Sequence, residues 1–402
     1  MSEMSYLEKL LDGVEVEWLP LGEVSALRRG RVMSKGYLTE NFGPYPVYSS
    51  QTANNGKIGS INTFDFDGEY ISWTTDGANA GTVFYRTGKF SITNVCGLIT
   101  LKSKYPLIYK FLFYWLTIEA KKHVYSGMGN PKLMSHQVEN IPVPIPCPDN
   151  PEKSLAIQSE IVRILDKFTE LTAELTAELT MRKKQYNYYL DQSLSFKEGE
   201  VELKTLGEMG TLIRGKRFVK SDIIPKGVPC IHYGEMYTHY RIWADKAKSY
   251  ISVELASKLR KASCGDVVFV SAGETIADIG RGTAWLGDED VVIHDACFFY
   301  KSSLNPKYVA YFSRTNFFHD QIKKSISSGK ISAINAKGFE KVIIPVPSPE
   351  EQARIVAFLD KFDTLTSSIT EGLPREIELR QKQYEYYRDL LFSFPKPETV
   401  SN

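Results

Sequence analysis

Two stretches of the chain carry apolar residues at helical spacing. From Ile157 to Leu179 the apolar side chains recur every three or four residues, which places them on one face of a helix. About 40 helical residues, at ~1.5 Å per residue, predict a rod of roughly 60 Å. A second stretch, from Ile355 to Ile369, has the same spacing but runs into Gly-Leu-Pro at 372–374. Because proline inside a helix costs ~3 kcal/mol, we expect the second helix to be kinked or split there.

Short runs of strand-forming residues precede each helical stretch. They are separated by Asn-Gly and Asp-Gly pairs, which favour turns. The predicted strands are 45–49, 69–74, 81–85, 94–101, 266–271 and 295–300, and each half then has a predicted shorter helix, at 107–122 and at 307–324. Prolines at 142, 144, 146, 148 and 151 predict an extended segment between the first globule and its long helix.

The second half of the chain repeats motifs of the first. Val-Pro-Ile-Pro at 143–146 returns as Ile-Pro-Val-Pro at 344–347, Ile-Val-x-x-Leu-Asp-Lys-Phe at 161–168 returns at 355–362, and Arg-x-Lys-Gln-Tyr-x-Tyr-Tyr at 182–189 returns at 380–387. A period of half the chain is too long for a solenoid unit, so each copy should be one globule plus one helix, the two copies being related by a pseudo-twofold axis.

We therefore predict an α+β protein in which two globules are separated by an antiparallel pair of long helices. The predicted boundaries are 1–150 for the first globule with an N-terminal helix, 151–197 for the central helix, 198–349 for the second globule and 350–402 for the C-terminal helix. Within the central helix Thr-Ala-Glu-Leu occurs twice in tandem, at 172–179. Each such unit adds ~6 Å of helix, so it can serve as a spacer of adjustable length.

Composition limits the possible classes of protein. Of 402 residues 43% are hydrophobic, enough for ordinary cores, and the formal net charge is +1, which neither supports nor excludes DNA as a partner. The five cysteines form no Cys-x-x-Cys pair, which argues against zinc and disulfides and favours a reducing cytoplasm. The charged residues within positions 1–11 argue against a signal peptide, and no apolar run is long enough to predict a membrane span.

Catalytic motifs are missing from the sequence. There is no Asn/Asp-Pro-Pro-Tyr/Phe tetrapeptide and no glycine-rich loop in a βαβ context, so we expect no methyl-transfer site. The basic run at 214–217 lacks the Ser or Thr that follows the lysine of a phosphate loop. The six histidines show no spacing typical of a metal site or of a nucleophile partner. We expect a protein that recognises a ligand and has no catalytic or metal site.

The layout of a globule, a proline-rich exit, a Leu-Asp-Lys-Phe helix and a Lys-Gln-Tyr-x-Tyr-Tyr segment, all present twice, resembles the specificity (S) subunit of type I restriction-modification systems. The tandem Thr-Ala-Glu-Leu unit and the segment Phe-Ser-Phe-Pro-Lys-Pro at 392–397 resemble the IC subfamily. The two copies differ in two places: only the second helix is broken, near Pro374, and the loop before the first long helix is longer than its counterpart in the second copy.

This resemblance implies a function for each part. The globules would be target recognition domains that each read half of a split double-stranded DNA site, and the helices would set the length of the unread spacer. The helices would also bind two methyltransferase (M) subunits, to which restriction (R) subunits are added. S-adenosylmethionine, ATP and Mg²⁺ would be bound by those partners and not by this chain.

Recognition of DNA requires cations for phosphates and polar side chains for base edges. In the first globule the candidates lie in a basic loop, a polar loop, a strand end and a Gly-rich loop: Arg28, Arg29, Arg31, Lys35, Gln51, Asn54, Asn55, Lys57, Thr75, Asn130 and Lys132. In the second globule they are Arg214, Lys216, Arg217, Lys220, Ser271, Thr275, Lys323, Lys324 and Lys330. The other interpretation of each is a solvated or structural surface residue.

Several alternatives remain open from sequence. The chain could be a DNA-binding scaffold without enzymatic partners, or a bilobed protein-protein adaptor that binds no nucleic acid. The repeated tyrosines at 186–189 and 384–387 fit helix packing better than base stacking, and Trp73 and Trp243 are predicted core residues. Cys96 and Cys297 occupy matching strands and are predicted to be buried.

Overall fold

The computed structural model describes residues 10, 13–127, 129–327, 329, 331–368 and 370–395. The chain divides into two compact units: unit 1 combines residues 1–174 with 377–402, and unit 2 comprises residues 175–376. Most of the N-terminal segment that we predicted to contain a helix lies outside the described residues.

Unit 1 contains a globule with one principal sheet. Its elements are β1 (Val16–Pro20), α1 (Leu21–Val24), β2 (Ser25–Arg29), α2 (Lys35–Glu40), β3 (Phe42–Tyr48), β4 (Lys57–Ile61), β5 (Phe66–Thr74), β6 (Val83–Ile92), β7 (Cys96–Leu101), α3 (Tyr109–Glu119), α4 (Ser135–Glu139) and β8 (Pro142–Pro146). Six strands form a sheet in the order β2-β7-β5-β6-β3-β4, antiparallel except between β3 and β6. Strands β1 and β8 form a separate antiparallel pair.

The long helix α5 (Pro151–Ser193) follows, and the division between the units falls within it, after Glu174. The proline-rich segment before it is extended, as predicted, because Pro142–Pro146 forms strand β8. The prediction that Pro151 belongs to this extended segment is wrong. Pro151 is the first residue of α5, a position that lacks an intrahelical partner for its backbone nitrogen and therefore tolerates proline.

Unit 2 has smaller sheets. Its elements after α5 are β9 (Glu202–Thr205), α6 (Leu206–Met209), β10 (Gly210–Arg214), β11 (Val228–Ile231), α7 (Glu235–Thr238), β12 (Trp243–Ala244), β13 (Ser249–Ile251), α8 (Val253–Ala256), β14 (Lys261–Ala262), β15 (Val267–Val270), β16 (Ala272–Gly273), β17 (Gly282–Trp285), β18 (Val291–Ile293), β19 (Cys297–Ser302), α9 (Pro306–Phe312), α10 (Asn316–Lys323), β20 (Ser332–Ala333), α11 (Ala336–Glu340), β21 (Ile343–Val346) and α12 (Pro349–Ser367). The strand orders are β10-β19-β15-β17-β12, β13-β11-β18-β14, β16-β20 and β21-β9.

The C-terminal helical stretch is split, as predicted. Helix α12 ends at Ser367, and α13 (Leu373–Leu391) begins after Gly372, which has a φ of +81°. The predicted helix at 307–324 is also two helices, α9 and α10, so the single-helix prediction is wrong. The Thr315 hydroxyl accepts a hydrogen bond from the Phe318 backbone N–H at 3.2 Å and so caps the start of α10.

Each globule packs its apolar core against parts of the long helices. In unit 1 the buried side chains of α3 meet Leu165 of α5 and Leu391 of α13. In unit 2 the core of β15, β19 and α9 meets Leu190 of α5 and Leu359 of α12. Helix α5 therefore contributes its first part to one core and its last part to the other.

Two predicted core residues have different outcomes. Trp73 is buried, as predicted, and its indole N–H donates to the Leu133 carbonyl at 3.0 Å. The prediction for Trp243 is wrong, since its side chain is 43% exposed. Trp243 lies on the edge strand β12, where the ammonium group of Lys307 stands 4.5 Å from the ring centroid. Cys96 and Cys297 are both buried, as predicted.

None of the helices in the described part of the chain has the length and apolar character that a membrane span requires.

Candidate DNA interface

In unit 1 the basic loop after β2 is held against the turn between β6 and β7. The Gly30 backbone N–H donates to the Cys96 carbonyl at 3.3 Å, and the Arg31 N–H donates to the Ile92 carbonyl at 3.3 Å. The Arg29 guanidinium donates to the Asn94 carbonyl at 3.1 Å. A Cβ on residue 30 would fall on backbone oxygens of Ile92 and Thr93, so only glycine permits this close approach.

The other predicted loops of unit 1 converge on the same turn. The Thr93 hydroxyl donates to the Ser49 hydroxyl at 2.9 Å, which brings in the polar loop after β3. The Thr75 N–H donates to the Val95 carbonyl at 3.0 Å, and the Thr75 carbonyl accepts from the Leu133 N–H at 2.8 Å. The basic loop, the polar loop, the end of β5 and the Gly-rich loop thus lie together at one end of the sheet.

Unit 2 repeats this framework with other side chains. The Gly215 N–H donates to the Cys297 carbonyl, and the Lys216 N–H donates to the Ile293 carbonyl, both at 3.0 Å. The Arg214 guanidinium donates to the Asp295 carbonyl at 2.9 Å. The Ser271 N–H donates to the Ala296 carbonyl at 2.9 Å, in the place that Thr75 occupies in unit 1. The two globules therefore present corresponding loops on the same backbone framework, although their sheets differ.

Most predicted contact residues of unit 1 are exposed around this end: Arg28, Arg29, Lys35, Asn54, Asn55, Lys57, Asn130 and Lys132. Gln51 is half-buried, and its amide donates to the Lys57 carbonyl at 2.5 Å. Thr75 is buried, and its hydroxyl donates to the Asp76 carboxylate at 2.5 Å, so it does not face solvent.

Arg31 is exposed but already has an anionic partner. Its Nε lies 3.0 Å from the Asp65 carboxylate, and its guanidinium donates to the Tyr37 hydroxyl at 3.2 Å. These hydrogen bonds, first to Tyr37 and then to Asp65, raise the pKa of Arg31 above its ordinary value. A phosphate near Arg31 would share the guanidinium with Asp65, so Arg31 carries less free positive charge than its exposed neighbours.

In unit 2 the exposed predicted residues are Arg214, Lys216, Arg217, Lys220, Thr275, Lys323 and Lys324. Ser271 is buried, like Thr75. Lys323 lies 3.1 Å from the Asp320 carboxylate. Lys330 lies outside the described residues, but strand β20, which follows it, pairs with β16 next to Ser271.

Arg86, which supports the polar loop of unit 1, was not among the predicted site residues. Its guanidinium is buried, lies 3.6 Å from the Tyr48 ring centroid and donates to the Asn55 carbonyl at 2.8 Å. Burial lowers the pKa of Arg86 to about 10. The loop it supports holds Asn54 and Asn55 at φ values of 50° and 55°, a left-handed conformation that asparagine tolerates. The asparagine pair indicated a turn, but nothing in the strand sequence indicated Arg86.

A histidine pair beside the basic loop of unit 2 was not predicted either. The His232 and His294 ring centroids are 4.7 Å apart, and His294 Nδ1 accepts from the Ala296 N–H at 3.1 Å. Burial lowers the pKa of both imidazoles. Both rings come from loops that meet only in the fold, so their sequence spacing of 62 residues gave no signal.

The repeated Leu-Asp-Lys-Phe motif attaches each helix to the globule that precedes it. The Asp166 carboxylate lies 2.6 Å from the Lys110 ammonium and accepts from the Tyr114 hydroxyl at 2.7 Å. Asp360 makes the same two contacts in unit 2, with Lys307 at 2.8 Å and Tyr311 at 2.7 Å. The motif is therefore a structural anchor.

The repeated tyrosines divide between packing and exposure. Tyr387 stacks on Phe168 in unit 1 at 5.3 Å, and Tyr189 packs against Phe362 in unit 2 at 5.4 Å. These contacts confirm that both rings pack between helices. Tyr188 and Tyr386, at matching repeat positions, are 61% and 56% exposed.

Comparison with known proteins identifies the family. The type I restriction modification DNA specificity domain matches twice, at residues 13–181 and 198–379. The chain is 42% identical to the type I restriction enzyme EcoR124I/EcoR124II specificity subunit of Escherichia coli over the whole of both chains. It is 37% identical to the EcoprrI specificity subunit of Escherichia coli, covering 92% of this chain and 93% of the relative.

Solved structures show the same fold. One, described as the structural basis of complex assembly and conformational transition of the type I restriction-modification system, has a TM-score of 0.61 at 15% identity and covers 94% of this chain and 97% of its own. The Mycoplasma genitalium S subunit has a TM-score of 0.56 at 14% identity and covers 96% of this chain and 98% of its own. The chain therefore belongs to the type I restriction-modification DNA specificity family and is an S subunit.

Proposed function

We propose that this S subunit reads a bipartite double-stranded DNA site, with one globule reading each half and the bases between them left unread. The matched loop framework carries this proposal: in each unit the last residue of the strand before the basic loop, Arg29 of β2 or Arg214 of β10, donates to a carbonyl of the β6-β7 or β18-β19 turn. Two independent loop sets with the same geometry and different exposed side chains are suited to two half-sites of different sequence.

The exposed cations of each basic loop are assigned to DNA phosphates, and the exposed amides and hydroxyls to base edges. In unit 1 the amides are Asn54, Asn55 and Asn130. We assign Thr75 and Ser271 to positioning, because their side chains are buried and their backbones hold the neighbouring loops.

The chain itself is proposed to be non-catalytic and to bind two methyltransferase subunits, and then restriction subunits, which carry S-adenosylmethionine, ATP and Mg²⁺. The exposed rings of Tyr188 and Tyr386 support this assembly, since each is a large amphipathic side chain left outside the helix packing of its unit. Their equivalence in the repeat matches two copies of one partner. Serine at both positions should weaken co-purification of the methyltransferase while DNA binding by the full chain persists.

The tandem Thr-Ala-Glu-Leu at 172–179 lies within α5. We propose that this segment sets the unread spacer. One inserted unit adds ~6 Å of helix against ~3.4 Å per base pair, so the methylated site should gain one or two unread base pairs. A spacer of unchanged length in methylation mapping would refute this role.

An exchange of globules tests the bipartite reading. Residues 14–146 are replaced by the corresponding region of another S subunit, and methylated positions are sequenced in cells that also contain the partner subunits. Only one half of the site should change, and a change in both halves would contradict the proposal. Failure of the full chain to shift random duplex DNA at low salt would favour the protein-protein adaptor.

A further inference from the structure

Unit 2 contains a polar cavity where α5 and α12 meet the loops around α7 and the start of β17. Its volume is about 350 Å³, and its lining includes Tyr186 of α5, Asp363 of α12 and three arginines, Arg241, Arg281 and Arg314. None of these residues belongs to the loop framework described above. The cavity is close to that framework, because Tyr237 in its wall donates its hydroxyl to the Ala272 carbonyl at 3.1 Å, next to Ser271.

The positive charges in the wall are poorly compensated. Three guanidinium groups and one carboxylate, Asp363, line the cavity, together with the imidazole of His239. Arg281 has a distant ion pair, 3.7 Å, with Asp278. The other nearby carboxylate, Asp360, is bound to Lys307 and Tyr311. Like charges held together at low dielectric repel unless an anion lies between them.

Two of the guanidinium groups are also incompletely bonded. In the described part of the chain the Nε atoms of Arg281 and Arg314 are buried without a hydrogen-bond partner. Arg314 donates from Nη2 to the Gly282 carbonyl at 2.8 Å and to the Arg241 carbonyl at 3.2 Å, which fixes its direction. Burial, and then the charge of Arg281, lower the pKa of Arg314 to about 9. Holding such guanidinium groups away from water with few carboxylate partners is costly, and an anion in the cavity would offset part of that cost.

We propose that this cavity is a binding site for a phosphate-type oxyanion. Several guanidinium groups can donate hydrogen bonds from different directions to the oxygens of one tetrahedral oxyanion, as in phosphate recognition by arginine. Unit 1 has threonines at the positions equivalent to two of these arginines. Thr117, three residues after Tyr114, corresponds to Arg314, three residues after Tyr311. Thr82, directly after Gly81, corresponds to Arg281, directly after Gly280. The site therefore belongs to the second half of the chain and not to the shared scaffold.

The test uses the full chain and inorganic phosphate at constant ionic strength, with chloride as the balancing anion. Calorimetry should show phosphate binding to the wild type, at least tenfold weaker binding to Arg281→Gln, and tighter binding to Asp363→Asn, which removes the opposing carboxylate. Arg354→Gln is the matched control, because Arg354 is an exposed arginine of α12 that pairs with Glu351 and does not line the cavity.

Absence of binding to the wild type, or equal affinities of Arg281→Gln and Arg354→Gln, would overturn the proposal. Arg281→Gln is preferred to a change at Arg314, whose guanidinium holds two carbonyls and whose loss could unfold the loop. Circular dichroism of each variant verifies that the fold is kept.

The phosphate could be free or part of a DNA backbone, and competition separates the two sources. If random duplex DNA displaces phosphate from the wild type, and Arg281→Gln lowers DNA affinity, the occupant is a phosphodiester. If DNA and phosphate bind together without competition, the occupant is a free phosphate. Only the competition with DNA rests on the proposed function. A chain that binds phosphate but no DNA would refute the proposed recognition of DNA and would still support the anion site.

Discussion

Replacing Gly30 by alanine would test whether each loop framework serves its own half-site. The added Cβ would overlap the backbone oxygens of Ile92 and Thr93, so the basic loop must move away from the β6-β7 turn. Two backbone hydrogen bonds are then at risk, those donated by Gly30 and Arg31. Overlap costs about 1–3 kcal/mol and the loss of each hydrogen bond about 0.5–1.5 kcal/mol, so a local penalty of about 2–6 kcal/mol is expected.

This penalty should be expressed in DNA recognition, because the turn that the added Cβ overlaps also holds the polar loop, whose exposed Asn54 and Asn55 are assigned to base edges. A side chain that no longer reaches its base edge forfeits ~1–3 kcal/mol of discrimination, and ~1.4 kcal/mol is a tenfold change in affinity. Gly30→Ala should therefore lower discrimination in one half of the mapped site by about 5- to 150-fold and leave the other half unaffected. Gly215→Ala, whose Cβ would overlap the Ile293 and His294 oxygens, should do the reverse.

The assay measures competition by duplexes in which one half of the methylated site at a time is scrambled. Gly36→Ala is the control in unit 1, because a Cβ there comes no closer than 3.7 Å, to the Ser34 hydroxyl. The reasoning is refuted if Gly30→Ala behaves like Gly36→Ala, or if Gly30→Ala and Gly215→Ala impair the same half.

Three further predictions concern anchoring, pH and salt. Asp360→Ala should lower the free energy of unfolding, measured by urea titration, by about 2–4 kcal/mol. Asp166→Ala should lower it by less, because its partner Lys110 is 37% exposed, whereas Lys307, the partner of Asp360, is 18% exposed. Asp288→Ala, at an exposed carboxylate, should leave the free energy of unfolding unchanged. Burial lowers the pKa of His232, His294 and His319, so below pH ~6.5 the unfolded state takes up more protons than the folded state, and unit 2 should lose stability as the pH falls from there. Hydrogen exchange in β18 should therefore become faster in acid, and His294→Asn should reduce this acid effect. Exchange in β18 without an acid effect would contradict the prediction. Lys220→Gln should weaken DNA binding for all sequences and reduce the slope of log affinity against log salt by about one; a changed sequence preference with the same slope would instead indicate base contact.

The helices were largely predictable because their signal is local. The apolar spacing and the break before Pro374 predicted α5 and the split between α12 and α13. Two predictions failed where the local signal is weaker: the cap at Thr315, which divides α9 from α10, and the position of Pro151 in the first turn of α5. Both depend on single hydrogen-bonding groups at helix ends, which apolar periodicity does not register.

The candidate interface was only partly predictable. The glycines and cations of the basic loops were recognisable in sequence, but their convergence on the turn at 93–95 depends on strand order. Thr75 and Ser271 illustrate the limit, because a hydroxyl near a strand end is equally consistent with exposure and with burial. Arg86 and the His232–His294 pair were missed for the same reason: their contacts join segments that are distant in sequence.

The residues that recur in both units and those that do not serve different purposes: the first stabilise the fold, and the second are proposed to determine which DNA sequence is recognised. Residues that recur, such as Asp166 with Asp360 and Gly30 with Gly215, make the same contacts in both units and hold helix or loop in place. Other exposed side chains on those loops do not recur: Asn54 and Asn55 are held at positive φ in unit 1, whereas the corresponding loop region of unit 2 carries the exposed Tyr233. A substitution among the exposed residues disturbs little of the packing, so the surface offered to DNA can vary while the framework that supports it stays intact.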